Sequence, residues 1–178
     1  MDMALPGGGS QPPRPAAAAG IRPARPGDEA AIHQLICDLA EYERSLDQVG
    51  SSPADLRAAL FGPEPALFGH VAEHDGGVAG FALWFLNYST WTGRHGIYLE
   101  DLYVRPELRG SGLGRALLAE LAGLCVQRGY ARLEWAVLDW NEPALGFYRR
   151  IGAEPRNDWV PHRISGPALH RLAGYPAS

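Results

Sequence analysis

The segment from Val104 to Gly114 constrains the fold most, because a run of glycines joins a strand-like stretch to a helix-like stretch. The apolar residues 97–104 predict a strand before it. The leucine-rich stripe over residues 112–128 predicts a helix after it, ended by Gly129. A strand that leads into a helix in this way indicates an α/β domain.

The glycines of this loop also indicate a binding site for an anion. Backbone N–H groups approach an anion closely where no Cβ intervenes, and a helix N-terminus adds the positive end of its dipole. We therefore expect a pyrophosphate here, with Arg109 or Arg115 in reach of the phosphates. The dinucleotide fingerprint fails because Arg115 stands where its last glycine should be, and the Walker pattern lacks its Gly-Lys-Ser/Thr. The alternative is that the glycines only form a tight turn.

Hydrophobic periodicity predicts one α/β domain over residues 21–178, with a mixed twisted sheet flanked by helices. Residues 1–20, rich in Ala, Gly and Pro, predict a disordered tail. The expected elements are a strand at 21–23, a helix capped by Asp28, a helix after Ser52, a hairpin of strands 66–73 and 78–86, a strand at 133–138, a helix at 141–151, and final strands at 161–164 and 168–172.

Composition excludes several classes of partner. The formal net charge is −4 with no block of Lys or Arg, which argues against nucleic acid and anionic membranes. No signal peptide or long apolar stretch is present, so we expect a cytoplasmic protein. Cys37 and Cys125 fall in apolar helical patterns and are interpreted as structural, the alternative being a catalytic thiol. His70 and His74 share a strand face without a third ligand, so no metal is expected.

A second motif follows the strand predicted after the long helix. Residues 139–148 read Asp-Trp-Asn-Glu-Pro-Ala-Leu-Gly-Phe-Tyr. This Asn-x-x-Ala-x-x-Phe-Tyr pattern, together with Arg-x-x-Gly-x-Gly at 109–114, resembles the GNAT superfamily of N-acetyltransferases. For each motif taken alone a structural interpretation stays open, here an amphipathic helix with core aromatics.

The resemblance extends from about Ile21 to the C-terminus. Residues 39–43, 88–94, 97–104 and 136–141 are similar to the spermidine/spermine (diamine) acetyltransferases, and most similar to their thialysine-acetylating branch. In the polyamine branch an Asp-Pro pair precedes the tryptophan, whereas Ser89 and Thr90 precede Trp91 here. The difference removes one carboxylate and favours a short amine over spermine.

The resemblance implies the GNAT acyl-CoA N-acyltransferase fold, acetyl-CoA as co-substrate, a small cationic amine as acceptor and a homodimer. It assigns Glu100 as the base, acting through water, and Tyr148 as the general acid. The implied cofactor contacts are Leu102, Tyr103, Val104, Arg109, Gly110, Ser111, Gly112, Leu113, Gly114, Arg115, Asn141 and Tyr148. The implied acceptor contacts are Tyr42, Glu43, Ser89, Trp91, Glu100 and Asp101.

The chemistry agrees with these roles. A primary ammonium has a pKa of about 10.4 and must lose a proton before it attacks, so a base is needed. Strict strand alternation would send Glu100 and Asp101 to opposite faces, so we expect a β-bulge near Leu102. The alternative is a solvated acidic strand end. Two other functions stay open, a protein or peptide acetyltransferase and a catalytically silent acetyl-CoA sensor, although Glu100 and Tyr148 argue against the sensor.

Overall fold

The computed structural model describes residues 20–175, which divide into two compact units. Among the described residues, the first unit comprises 20–136 and the second 137–175. The predicted tail, residues 1–20, lies outside the described part of the chain apart from Gly20. The carbonyl of Gly20 accepts the N–H of Glu73 at 2.6 Å, so this glycine already belongs to the sheet.

The first unit is built on a five-stranded mixed sheet, as predicted. The strands run in the order β1-β2-β3-β4-β5. Neighbours are antiparallel except β4 and β5, which are parallel. Their bounds are β1 Ile21–Pro23, β2 Phe68–His74, β3 Gly77–Ser89, β4 Arg94–Val104 and β5 Leu133–Trp135. A positive φ of +49° at Asp75 and +78° at Gly76 forms the tight β2–β3 turn that the Asp-Gly pair predicts.

Two helices cover one face of this sheet. Helix α1, Glu29–Tyr42, buries Ile32 and Leu35, and α2, Pro53–Phe61, buries Leu56 and Leu60. Ser52 caps α2 through a reciprocal pair of bonds with Asp55, the capping box that its sequence predicts. These four apolar side chains form one core cluster with residues of the strands, namely Val71, Phe81, Leu83 and Tyr103.

Helix α3, Leu113–Arg128, covers the opposite face. Ala82 and Trp84 alternate with the core residues of β3 and are also buried, while α3 contacts β3 and β4. Gly129 ends the helix with a φ of +67°, as the sequence predicts. The sheet is therefore a middle layer between two helical layers.

A polar bridge crosses three strands where β4 and β5 pair. The side-chain amide of Asn87 donates to Glu134 at 2.7 Å, and Arg132 pairs with the same carboxylate at 2.7 Å. Gly96 of β4 lies under this bridge, and a Cβ there would stand 2.5 Å from the Asn87 side-chain oxygen. Glycine at this position therefore lets β3 and β5 be connected across β4.

The second unit contains two helices, α4 at Glu142–Arg150 and α5 at Gly166–Leu172. Helix α4 lies where residues 141–151 predict one. The strands predicted at 161–164 and 168–172 are wrong, because 161–164 are irregular and 168–172 lie in α5. Pro161 has no N–H for a strand ladder, and Pro167 stands in the first turn of α5, where proline favours a helix.

The last strand of the sheet is shorter than its sequence predicts. The strand predicted at 133–138 ends at Trp135, three residues early. Within residues 20–175, no helix combines the length and the apolar composition that crossing a bilayer requires.

Candidate active site

The loop between β4 and α3 adopts the backbone conformation that its glycines allow. Gly110 and Gly112 have φ angles of +82° and +94°, in the left-handed region that residues with a Cβ rarely adopt. Gly112 is the N-cap of α3 and, lacking a side chain, leaves the first N–H groups of the helix without a side-chain acceptor. These N–H groups and the positive end of the helix dipole suit an anion.

The loop and the first turn of α3 hold seven residues predicted to contact the cofactor. They are Arg109, Gly110, Ser111, Gly112, Leu113, Gly114 and Arg115. The hydroxyl of Ser111 donates to the carbonyl of Leu108 at 2.6 Å and so stabilises the turn itself. The geometry fits an anion cradle made mainly by the main chain.

The edge of β4 next to this loop is open. Only residues Ile97, Tyr98 and Leu99 of β4 pair with β5. In the described part of the chain, no strand pairs on that side with residues 100–104, which include Leu102, Tyr103 and Val104. An extended ligand can hydrogen-bond to such an edge as an added strand would. These three residues are among the predicted cofactor contacts, which remain a prediction.

A β-bulge reverses the alternation of β4 at Glu100. Leu83 pairs with Asp101 and its neighbour Trp84 pairs with Leu99, so Glu100 is the extra residue. Leu99 therefore faces α3 with Trp84, whereas Asp101 faces the α1 side with Leu83. The predicted bulge near Leu102 is confirmed, two residues earlier than expected.

Asp101, on the α1 side of the sheet, lies near enough to two other carboxylates to be affected by their charge. Asp101 is half-buried, and burial together with the negative charges of Glu100 and Glu43 raises its pKa to about 6. Burial also raises the pKa of Glu43, the residue directly after α1. Glu100 is exposed beside them. This acidic cluster, Glu43, Glu100 and Asp101, suits a cationic ligand, because an ammonium would relieve the mutual repulsion.

Tyr42, the last residue of α1, is tied to the loop. The guanidinium carbon of Arg109 lies 4.8 Å from the ring centroid of Tyr42 and 5.4 Å from that of Tyr103. The Arg109 Nε–H also donates to the carbonyl of Val104 at 3.3 Å. The structure thus brings a predicted acceptor residue from α1, Tyr42, together with predicted cofactor residues from β4 and the loop.

Ser89 and Trp91 are the predicted acceptor residues that the chain does not bring to the acidic cluster. Ser89 ends β3, where it pairs with Arg94, and its hydroxyl accepts the N–H of Thr92 at 3.3 Å. Trp91 lies at the tip of this β3–β4 hairpin and is 88% exposed. Seven residues of strand separate Arg94 from Asp101, which is about 23 Å at about 3.3 Å per residue.

Asn141 and Tyr148 belong to the second unit. Asn141 is buried and is the N-cap of α4, where its side-chain oxygen accepts the N–H of Ala144 at 3.3 Å. Tyr148 is half-buried on the same helix, with its ring centroid 5.4 Å from that of Phe147. Its carbonyl accepts the N–H of Ala153, which closes the helix at Gly152. Asn141 therefore stabilises the helix that carries the predicted general acid.

The sequence interpretation missed the side chain of Tyr103. Its ring is buried in the α1-side core and contacts Arg109. A signal was present: a bulge that turns Asp101 toward α1 also turns Tyr103, two residues on, toward the same face. Within residues 20–175, no three His, Cys, Asp or Glu side chains are grouped as a metal site would need.

An open strand edge, a glycine loop suited to an anion and an acidic cluster lie on one α/β sheet. The sequence model described as "Acetyltransferase (GNAT) family" matches residues 30–153. The chain belongs to the GNAT acetyltransferase family, and it is an N-acetyltransferase.

Individual relatives are more particular. The thialysine N-epsilon-acetyltransferase of Bos taurus is 41% identical over 165 residues, covering 86% of this chain and 96% of that protein. An L-ornithine N5-acetyltransferase of Arabidopsis thaliana is 29% identical, covering 85% of this chain and 86% of its own. Among solved structures, an integron cassette protein of V. cholerae superposes with a TM-score of 0.73 at 25% identity, covering 86% of this chain and 96% of that one.

Proposed function

We propose that the protein transfers the acetyl group of acetyl-CoA to the terminal side-chain amine of a small cationic acceptor, a thialysine-like amino acid before a diamine or polyamine. The observation that carries the proposal is the acidic cluster on the strand that leads into the anion cradle. Two relatives are named for acetylating the side-chain nitrogens of thialysine and L-ornithine, which supports a short acceptor.

In this proposal the cofactor residues divide between two tasks. The loop residues 109–115 hold the pyrophosphate through N–H groups and the charge of Arg115. The open edge of β4 at Leu102, Tyr103 and Val104 takes the pantetheine arm, and Asn141 contacts the same arm. Preorganised main-chain N–H groups at this edge stabilise negative charge that develops on the thioester oxygen.

The acceptor residues have complementary tasks. Asp101 and Glu43 bind the ammonium, and Glu100, exposed to solvent, takes its proton through a water molecule. The neutral amine nitrogen attacks the thioester carbon, the C–S bond breaks, and Tyr148 donates its phenolic proton to the leaving thiolate. The products are an amide and CoA, and the nitrogen loses two protons in all. Glu100 takes the first and releases it to solvent, and the second leaves the nitrogen as the C–S bond breaks and replaces the proton that Tyr148 gave up.

Ser89 and Trp91 serve the acceptor in this proposal only if a second copy of the chain brings them. The acidic cluster of the same protomer is about 23 Å from this hairpin along β4. The predicted homodimer, in the cytoplasm, therefore explains how both sets of residues meet one amine. It requires the hairpin of one protomer to reach the acidic cluster of the other.

A panel of acceptors tests the function. Purified protein with acetyl-CoA is offered thialysine, L-ornithine, putrescine, spermidine, spermine and a lysine-containing peptide, and products are identified by mass spectrometry. We expect the highest kcat/KM for thialysine or ornithine, because a short amine needs fewer carboxylates. A clear preference for spermine or for the peptide would contradict the assigned acceptor, and acetyl-CoA binding without turnover would favour a sensor.

Tyr148→Phe tests the assigned mechanism in the same assay. A general acid contributes about 10² to 10⁴-fold, so kcat should fall by that factor while KM changes little. Phe147→Leu is the matched control on the same helix, and its kcat should stay within about threefold of wild type. A wild-type kcat in Tyr148→Phe would leave this tyrosine a structural role only.

A further inference from the structure

The side chain of Arg109 contacts two aromatic rings, one from α1 and one from β4. Its guanidinium carbon is 4.8 Å from the centroid of Tyr42 and 5.4 Å from that of Tyr103. Both distances are within the range of about 6 Å in which a cation is attracted to the face of a ring. With the hydrogen bond to Val104, the contacts hold this side chain against the body of the first unit.

Each of these rings neighbours a carboxylate of the acidic cluster. Tyr42 directly precedes Glu43, and Tyr103 follows Asp101 by two positions on the same face of β4. The charge of Glu43 in turn raises the pKa of Asp101. One arginine from the cofactor loop therefore contacts residues next to two of the three carboxylates of the acidic cluster.

Arginine suits such a contact better than lysine does. Its guanidinium is planar and weakly hydrated, so it stacks on aromatic rings, while the compact ammonium of lysine stays hydrated. The contacts to the rings use only the side chain of Arg109, so they leave the N–H groups at the start of α3 available to the anion cradle.

We propose that the Arg109 side chain is a positioning residue for the amine acceptor, holding the end of α1 so that Glu43 faces Asp101. This inference rests on the proposed function, because it concerns the acceptor of that reaction. It separates two roles within one residue. The main chain of Arg109 is part of the turn that shapes the cofactor loop, where its N–H donates to the carbonyl of Pro106, and its side chain acts on the acceptor through Tyr42.

The proposal and simple electrostatics predict opposite changes in the affinity for the amine when one residue is substituted. Arg109→Met removes a positive charge near an acidic cluster, so Coulomb attraction alone predicts tighter binding of a cationic amine. If the side chain positions Glu43, the same variant binds the amine more weakly. We expect the KM for thialysine to rise about tenfold or more, while the dissociation constant of acetyl-CoA changes less than about threefold.

Three more variants sharpen the test. Arg105→Met removes the same charge from the same segment and should keep the wild-type KM and acetyl-CoA affinity. Arg109→Lys keeps the positive charge but lacks the planar guanidinium, and it should raise KM as Arg109→Met does. Tyr42→Leu removes the aromatic ring that Arg109 contacts. Combining it with Arg109→Met should raise KM little further, because both variants break the same contact.

Steady-state kinetics give KM, and calorimetry with acetyl-CoA alone gives the dissociation constant. An unchanged or lower KM in Arg109→Met overturns the inference, as does a tenfold loss of acetyl-CoA affinity with an unchanged KM, the behaviour of a phosphate ligand. If thermal melting shows that Arg109→Met does not fold, an unchanged KM in Tyr42→Leu overturns it instead. A wild-type protein that acetylates no amine overturns the proposed function and the inference with it, whereas an active wild type with unaffected variants overturns the inference alone.

Discussion

Asp101 is a carboxylate that the fold holds in an unfavourable place. It is half-buried, and Glu100 and Glu43 add negative charge around it, so its pKa is raised to about 6. Each of these three causes disfavours the charged form. A bound ammonium would reverse the balance, because it pairs with the charge that the free protein can least accommodate. The acidic cluster is therefore better matched to a complex with a cation than to the empty site.

The raised pKa predicts an acid limb in the pH profile. Asp101 must be ionised to bind an ammonium, so kcat/KM should fall about tenfold for each pH unit below about 6. Glu43→Gln removes one of the negative neighbours and should move this limb to lower pH. Profiles of both proteins on thialysine between pH 4.5 and 8 measure the effect. A limb at the same pH in both would show that Asp101 is not the titrating group.

The same shift predicts that Asp101 costs stability at neutral pH. Its folded pKa lies above the unfolded value near 3.9, so the folded state binds the proton more tightly, and stability falls as pH rises from about 4 to about 6. Asp101→Asn should therefore be more stable than wild type at pH 7.5, by about 1 to 2 kcal/mol after allowance for partial exposure, and about equal at pH 4. Urea denaturation at the two pH values measures the difference. A variant less stable than wild type at pH 7.5 would contradict this environment for the carboxylate.

Strand β4 contains one residue more than its packing requires. Leu99 faces α3 and Asp101 faces α1, so a strand without Glu100 would alternate regularly and keep every other side chain on its present face. The bulge therefore serves the placement of Glu100 next to Asp101 on the acceptor side. A feature that the sheet does not need is expected where function requires it.

Deleting Glu100 tests this interpretation. The deletion should leave a cooperatively folded protein, with a Tm within a few degrees of wild type, because the ladder becomes regular. It should lower kcat by about 10² to 10⁴-fold, because the base is gone. Glu100→Gln, which keeps the bulge, should lose a similar factor. Calorimetry and steady-state rates decide the matter, and a deletion variant that does not fold would show that the bulge is structural.

The elements were predictable where local chemistry decides them. Leucine spacing and Gly129 predict α3, and the Ser52 capping box predicts the start of α2. The C-terminal elements were not predictable from periodicity, because apolar residues at 161–172 fit a strand and a short helix equally well. Proline at 161 and 167 was the better guide there. Strand β5 ends at Trp135, which pairs with Leu99 just before the Glu100 bulge of β4, and no local pattern at 133–138 reveals this neighbour.

The residues of the candidate site were also predictable only where local sequence decides their position. Glycines at positive φ and adjacent acidic residues on an apolar strand indicate an anion cradle and a cluster for a cation, from the residues alone. The resemblance to relatives supplied roles for Tyr148 and Trp91. The stack of Tyr42, Arg109 and Tyr103 was not predictable, because it joins a helix end, a loop and a strand that only the tertiary fold brings together.

The position of Trp91 in the β3–β4 hairpin leads to a testable prediction about assembly. If Trp91 of one protomer completes the acidic cluster of another, Trp91→Ala and Asp101→Asn are each impaired, yet a mixed dimer contains one intact site. Mixing the two variants after unfolding and refolding should restore about a quarter of wild-type activity. Refolding each variant separately is the control. No gain on mixing, or a monomer by light scattering, would mean that Trp91 does not serve a neighbouring site.

The acidic cluster is assembled from distant parts of the sequence, since Glu43 directly follows α1 and Asp101 lies in β4. The cradle, by contrast, lies in one continuous segment with the strand that feeds it. Descendants of such a chain can alter the end of α1 or the tip of the hairpin, and so acquire a new amine, while the cofactor segment is inherited intact. In this arrangement the acceptor site can change without any change in the cofactor segment.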